Sequence, residues 1–289
     1  MQLAAGRRLG AVLGHLYKGP RHKPVNVVPY RVNTRTSATA RVLMGTIACQ
    51  MSEISYLLGN RYFFQPPAET KNEPAFKLVF TRGQRFEFLP SYYRHLAPGK
   101  RTTATVKLCS LGNTSWVTVE EIRDSSTNDL MVKGIFQRVN VSAIKRIPEP
   151  IPDWLKERYS YLTSSVPRPP TVQVFDVPKS TKSFRYSEVV APRDTDSYHH
   201  TNQASYFWYC MDCATLGARS GAYSVLRGDL ANNDLKIVEV LYRKESLEGD
   251  VLDIESWEDQ DSPDTLRFLV RKGNENITQL TMQFYIPNI

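Results

Sequence analysis

The stretch APRDTDSYHHTNQASYFWY, residues 191–209, joins a polar segment to an aromatic one. Its polar part contains two aspartates, two histidines, an asparagine and a glutamine, and its aromatic part opens a segment, 202–224, that predicts a long helix. The first turn of a helix leaves backbone N–H groups unpaired and carries the positive end of the helix dipole. The pattern therefore predicts either a polar loop that caps the helix or acid–base side chains placed at its N-terminus.

A second predicted helix, residues 39–59, stands earlier in the chain, and the surroundings of the two helices match. Each helix follows a leading strand and precedes four runs rich in β-branched and aromatic residues, separated by turn-forming residues. These runs cover 84–96, 101–112, 114–124 and 130–143 after the first helix, and 235–246, 249–259, 265–273 and 277–286 after the second. The same order of elements twice indicates an internal repeat.

The two copies differ in their chemistry. Aligning residues 28–44 with 190–206 places Thr34 on Asp196 and Ala38 on His200. Only the second copy therefore carries ionisable side chains at these positions.

A proline-rich segment, residues 148–182, separates the copies. Its prolines forbid a continuous helix or a central strand, so the segment predicts a surface linker with one short helix at 154–161. The predicted organisation has four parts: a basic segment (1–25), an N-terminal repeat (26–147), a proline-rich linker (148–182) and a C-terminal repeat that carries the ionisable loop (183–289).

The positive charge of the chain is concentrated at the N-terminus. Residues 1–52 hold eight Lys and Arg and no acidic residue, so they account for the whole net charge of +8. Apolar residues beside arginines in 1–25 are typical of a mitochondrial presequence, and a disordered basic tail is the alternative; without a presequence we expect a cytoplasmic protein. Nucleic-acid binding has little support, because the basic segment lacks interleaved aromatic residues. No stretch approaches the ~20 apolar residues of a membrane-spanning helix.

Cys210 and Cys213 form a C-x-x-C pair inside the second predicted helix. Half a metal site and a redox pair are possible interpretations, but no second pair of ligands lies at zinc-site spacing. Their helical spacing predicts two thiols packed on a buried face.

The spacing D-x-D-x-x-x-H-x-N over 194–202, at the start of an aromatic helix, resembles the active-site segment of plant-type acyl-acyl-carrier-protein (acyl-ACP) thioesterases. A second segment, LYRKES at 241–246, resembles the Tyr-Arg-Arg-Glu-Cys strand segment in which those enzymes carry a catalytic carboxylate. Two matches at nearly the family's separation are more specific than either alone. The resemblance extends over about 26–289 and implies an α+β double hotdog, two tandem repeats that each wrap an antiparallel β-sheet around a long central helix.

Carried over by position, the resemblance makes Asp196, His200 and Glu245 the catalytic residues, with Tyr198 and Asn202 positioning substrate or water. The family has an asparagine where this chain has Tyr198. A phenol can hydrogen-bond a water or a thioester oxygen, but it cannot place an amide.

Thioester hydrolysis needs a base that activates water and donors for the charge that develops on the carbonyl oxygen. Glu245 is the predicted base, and direct attack by a carboxylate on the thioester is the alternative. His200 orients the water or protonates the leaving thiolate, and Asp196 fixes the histidine or contacts the water. We expect Glu245 to lie within water-bridging reach of His200 and Asp196, and the start of the helix to supply N–H donors.

The resemblance implies hydrolysis of fatty acyl thioesters carried on acyl-carrier protein or coenzyme A. It implies no cofactor or metal, and a monomer or a homodimer. The apolar face of helix 39–59 would line the acyl pocket. Two alternatives remain: a degenerate thioesterase that binds acyl carriers or acts as an assembly subunit, which Tyr198 favours, and a hotdog hydratase, whose Gly-Asp-x-Asn-Pro-x-His pattern does not occur here.

Overall fold

The structure, a computed structural model, describes residues 27–33, 51, 63–67, 76, 78–95, 101–162, 172, 174–177, 182–196 and 198–286. These residues form one antiparallel sheet of ten strands and three α-helices. The strands are β1 (Val27–Asn33), β2 (Val79–Phe88), β3 (Arg101–Leu111), β4 (Ser115–Asp124), β5 (Leu130–Asn140), β6 (Phe184–Val189), β7 (Leu235–Tyr242), β8 (Val251–Glu258), β9 (Thr265–Lys272) and β10 (Glu275–Phe284). The helices are α1 (Pro90–His95), α2 (Asp153–Arg158) and α3 (Ser205–Arg219). None of these helices is long and apolar enough to cross a membrane.

The strand order repeats across the sheet. The order is β1-β3-β4-β5-β2-β7-β10-β9-β8-β6, so the first half (β1–β5) and the second half (β6–β10) have the same connectivity read outward from the centre. The halves join where β2 pairs with β7, from Gly83 opposite Leu241 to Glu87 opposite Ile237. The strands predicted for the two copies are confirmed. The pairing of β2 with β7 brings the ends of these two strands together.

Helix α3 packs against β6 and β8 and buries most of its residues. Cys210 and Cys213 lie on its buried face with no exposed surface, as predicted. Burial raises the pKa of the Cys213 thiol to about 12, which keeps the thiol protonated at neutral pH.

Two boundaries differ from the prediction. Helix α3 is shorter than 202–224, because residues 202–204 form a turn before it and Gly221, with φ of 75°, takes the left-handed conformation that ends it. The run 84–96 is a strand only as far as Phe88, because Pro90 fits the first turn of a helix and starts α1. Of the predicted helix 39–59, only Met51 is described; it is helical and buried.

The short helix predicted at 154–161 is confirmed, but its segment is more than a connection over the surface, because one face of it is buried. This segment forms α2 and packs on the first half, with Ile151, Leu155, Tyr159 and Leu162 buried beside Trp116. The prolines do prevent a long helix, but apolar residues at spacings of three and four give the segment one continuous apolar face.

Candidate active site

The loop between β6 and α3 begins with a turn closed by Asp194. The Ala191 N–H donates to Asp194 Oδ2 at 3.0 Å, and the Asn202 N–H donates to the Asp194 carbonyl at 2.6 Å. Asp194 therefore ties the two ends of the loop together.

Asp196 holds the backbone of the loop around His200. The N–H groups of Tyr198 and His200 donate to Asp196 Oδ1 at 2.8 and 3.2 Å, and the Asp196 N–H donates to the His200 carbonyl at 2.8 Å. His199, with φ of 61°, takes the left-handed conformation that closes this turn. Asp196 thus fixes the position of His200 through its main chain.

His200 and Glu245 are in direct contact, with His200 Nε2 3.1 Å from Glu245 Oε2. The contact arises because the loop runs beside the segment after β7: His200 bridges Leu247, and the Thr201 N–H donates to the Ser246 carbonyl at 2.8 Å. The His200 side chain is 10% exposed and the Glu245 side chain 45%. A buried imidazole therefore meets a carboxylate that water can reach.

A buried network of hydroxyl groups supports this contact. Ser246 Oγ lies 2.6 Å from Thr201 Oγ1 and 2.7 Å from the Tyr206 hydroxyl. Burial raises the pKa of Tyr206, so the phenol is neutral and can donate. The network fixes the segment that carries Glu245 to the first turn of α3.

The first half contributes Arg146 and Phe80, two residues that the sequence analysis did not identify. Arg146 Nη1 lies 3.1 Å from His200 Nε2 and 3.8 Å from Glu245 Oε2. The Phe80 ring meets the His200 ring edge-on, with centroids 5.6 Å apart. Neither residue belongs to a motif, and both reach the site only because β2 and β7 pair.

A second link across the centre of the sheet positions the start of α3. The buried Gln84 on β2 donates through Nε2 to Gln203 Oε1 at 2.9 Å, and the Tyr242 hydroxyl lies 2.9 Å from the Gln203 carbonyl. The loop is thus held from the first half as well as from the second.

Tyr198 and Asn202 occupy different surroundings. Tyr198 is 48% exposed and its ring centroid lies 6.4 Å from that of His200, whereas Asn202 accepts the Ala204 N–H through Oδ1 at 2.9 Å. The N–H groups of Ser205 and Phe207 donate to the carbonyls of Asn202 and Ala204. The N–H groups of residues 204, 205 and 207 are therefore already bonded within the turn.

His200 and Glu245 can exchange a proton, and the Arg146 guanidinium beside them can bind an anion. Among the described residues, no group of three or more His, Cys, Asp or Glu is arranged to hold a metal ion. The geometry is that of an acid–base pair with a neighbouring cation.

The large antiparallel sheet and the central helix α3 are those of a hotdog fold, and comparison with solved structures agrees. An acyl-ACP thioesterase from Bacteroides thetaiotaomicron and a 12:0-ACP thioesterase from Umbellularia californica each match with a TM-score of 0.64 and 14% identity, over 90% of this chain and 98% of theirs. A Lactobacillus plantarum protein assigned as an oleoyl thioesterase matches with a TM-score of 0.64 and 18% identity, over 92% of this chain and 98% of its own. No family model and no curated protein matches the sequence. At these identities the likeness establishes the fold.

Proposed function

We propose that this chain hydrolyses fatty acyl thioesters, carried on acyl-carrier protein or coenzyme A, to the fatty acid and the free thiol. The observation that carries the proposal is the 3.1 Å contact between His200 Nε2 and Glu245 Oε2. The contact lies in a hotdog fold shared, at a TM-score of 0.64, with a 12:0-ACP thioesterase.

In the proposed reaction, Glu245 removes a proton from water while the water oxygen bonds to the thioester carbon. The tetrahedral intermediate collapses, the C–S bond breaks, and the thiolate leaves and takes up the proton from Glu245 or His200. Asp196 keeps His200 in place through the loop backbone. Tyr198 forms an exposed wall beside the histidine for the substrate, and Asn202 sets the start of α3.

We also propose that the chain is a double hotdog. The repeated strand order supports this, because each half has the strands that would wrap one central helix. In this proposal helix 39–59 is the counterpart of α3 and lines the acyl pocket; these residues lie outside the described part of the chain, apart from Met51.

Location, assembly and carrier are proposals as well. The basic composition of residues 1–25, which also lie outside the described residues, supports mitochondrial targeting and an acyl-carrier protein there as the partner. A chain that holds both halves of the sheet is compatible with a monomer or a homodimer.

A carrier-binding protein without activity is the second candidate. It is favoured by Tyr198, which replaces the amide of the resembled family, and by the occupied N–H groups at the start of α3. Such a protein would have the same fold and would bind the acyl carrier without hydrolysing the thioester.

The experiment is thiol release by the full chain from C8 to C18 acyl-ACP and acyl-coenzyme A substrates, together with His200→Ala. Asp153→Asn is the control, because Asp153 is 90% exposed and pairs with Lys156 at 3.2 Å within α2. We expect turnover by the wild type and the control, with a loss of about 10²- to 10⁴-fold in His200→Ala. Binding of acyl-ACP with no thiol release by the wild type would favour the carrier-binding candidate.

A further inference from the structure

The proposed hydrolysis lacks an obvious donor for the thioester oxygen. Negative charge develops on that oxygen in the tetrahedral intermediate, and hydrogen-bond donors fixed around it lower the barrier. The N–H groups of residues 204, 205 and 207 at the start of α3 are already bonded, and Tyr198 stands in place of the amide. A cation that already touches the acid–base pair, Arg146, is a stronger donor for this charge than these neutral groups.

Arg146 lies close enough to the acid–base pair to bind the thioester oxygen, and its guanidinium has N–H donors to spare. Its Nη1 atom is 3.1 Å from His200 Nε2, and its side chain is 41% exposed, so the guanidinium both contacts the acid–base pair and is partly open to solvent. A guanidinium carries five N–H donors in a rigid plane. Nε and Nη2 of Arg146 make no hydrogen bond to any residue that the structure describes.

A tight loop aims Arg146 at the site. Arg146 has a φ of 57°, a left-handed conformation that costs a residue other than glycine about 1 kcal/mol or more. The loop is closed by the Arg146 N–H, which donates to the Ser142 carbonyl at 3.0 Å, and by the Ser142 N–H, which donates to the Ile147 carbonyl at 2.9 Å. The guanidinium carbon lies 5.8 Å from the centre of the Phe80 ring. The surrounding contacts thus hold a strained residue where its side chain reaches the histidine.

His200 cannot bond to both neighbours through one nitrogen. Nε2 either carries a proton and donates to Glu245, or lacks a proton and accepts from Arg146. When Nε2–H is paired with Glu245, the arginine N–H that points at the histidine is released for a substrate oxygen. The acid–base pair and the cation can therefore act in the same step without competing.

We propose that Arg146 is a catalytic residue that donates an N–H to the thioester carbonyl oxygen and stabilises the tetrahedral oxyanion. This assignment rests on the proposed thioesterase function. In this assignment both halves contribute to the site. The second half supplies the acid–base pair, and the first half supplies the oxyanion donor.

The test compares Arg146→Gln and Arg146→Lys with wild type on the thioester that the wild type hydrolyses fastest. Removing an oxyanion donor lowers kcat by about 10²- to 10³-fold, and KM stays within about threefold because the contact strengthens only in the transition state. Arg146→Lys keeps a cation without the planar fork, so we expect an intermediate kcat. The matched control is Arg123→Gln, since Arg123 is also partly exposed and pairs with Glu121 at 2.8 Å near the β4–β5 turn. Its kcat should equal that of the wild type.

A rescue experiment separates the chemical role from a structural one. Guanidinium ion, added to Arg146→Ala far below the concentrations that unfold proteins, should restore kcat by about tenfold or more, as expected if the missing donor is returned to the site. It should not change the wild type or Arg123→Gln. An active wild type with kcat of Arg146→Gln within threefold, or a loss that guanidinium does not rescue, would overturn this assignment alone. Absence of wild-type turnover on every thioester would overturn the proposed function and the assignment with it.

Discussion

The two halves of the sheet share one strand order but have different side chains. In the second half, the loop before α3 brings His200 against Glu245, and β9 and β10 bury no charged residue. In the first half, β4 and β5 bury an ion pair, Glu120 with Arg138, at 3.6 Å. The comparison teaches that two halves with the same strand order can carry different functional groups. The fold requires only the strand pattern, so the polar residues of each half are free to differ.

The candidate active site does not belong to the second half alone, since residues of the first half also contact it. Arg146 and Phe80 contact His200, and Gln84 holds the residue that precedes α3 by two positions, Gln203. The catalytic groups of one half are therefore positioned and supplemented by the other through the β2–β7 pairing.

The largest effect is expected at the buried ion pair of the first half. Glu120→Gln leaves the Arg138 guanidinium buried without its carboxylate, so the free energy of unfolding should fall by about 3–5 kcal/mol in urea titration. The neighbouring Glu121→Gln breaks the partly exposed pair with Arg123 and should cost less than about 1 kcal/mol. Equal losses in the two variants would mean that the first half does not depend on a buried charge pair.

The next effect is expected at Asp196, which holds the His200 backbone. Asp196→Ala removes two hydrogen-bond acceptor contacts, and the resulting displacement of the imidazole should lower kcat for thiol release by up to about 100-fold. Thr34→Ala, at the aligned position of the first copy, should leave kcat unchanged. A loss in Thr34→Ala comparable to that in Asp196→Ala would show that the first copy also carries a working loop.

A smaller effect is expected at Asn202, which accepts the Ala204 N–H at the start of α3. Asn202→Ala should reduce the free energy of unfolding by about 1 kcal/mol, as the loss of one hydrogen bond does. Thermal or urea unfolding measures this directly. Stability equal to wild type, together with a large loss of kcat, would assign Asn202 to the reaction rather than to the helix.

The smallest effect is expected at Tyr198, because the side chain is half exposed and only its ring faces His200. Tyr198→Ala should raise KM a few-fold and leave kcat within about threefold, as removal of a binding contact does. A collapse of kcat would instead place the phenol in the chemical step.

How much the sequence predicts depends on how local the determining contacts are. The strand runs, the buried Cys210 and Cys213, and the polar loop follow from periodicity and spacing. The start of α3 at Ser205 does not, because residues 202–204 form a separate turn in which the Asn202 side chain accepts the Ala204 N–H. Arg146 was missed because its place in the site comes from strand pairing between distant parts of the chain. The apolar face of 148–162 was overlooked because the many prolines of the segment indicated an irregular surface connection.

The most direct test of the account is the kcat of Glu245→Gln relative to the full-length wild type, on the acyl thioester that the wild type hydrolyses fastest. The substitution keeps the shape of the side chain and removes the base, so kcat should fall by about 10²- to 10⁴-fold with binding of the substrate retained. Hydrolysis by Glu245→Gln within about fivefold of wild type would contradict the account, because the contact between His200 and Glu245 would then not be the centre of the reaction.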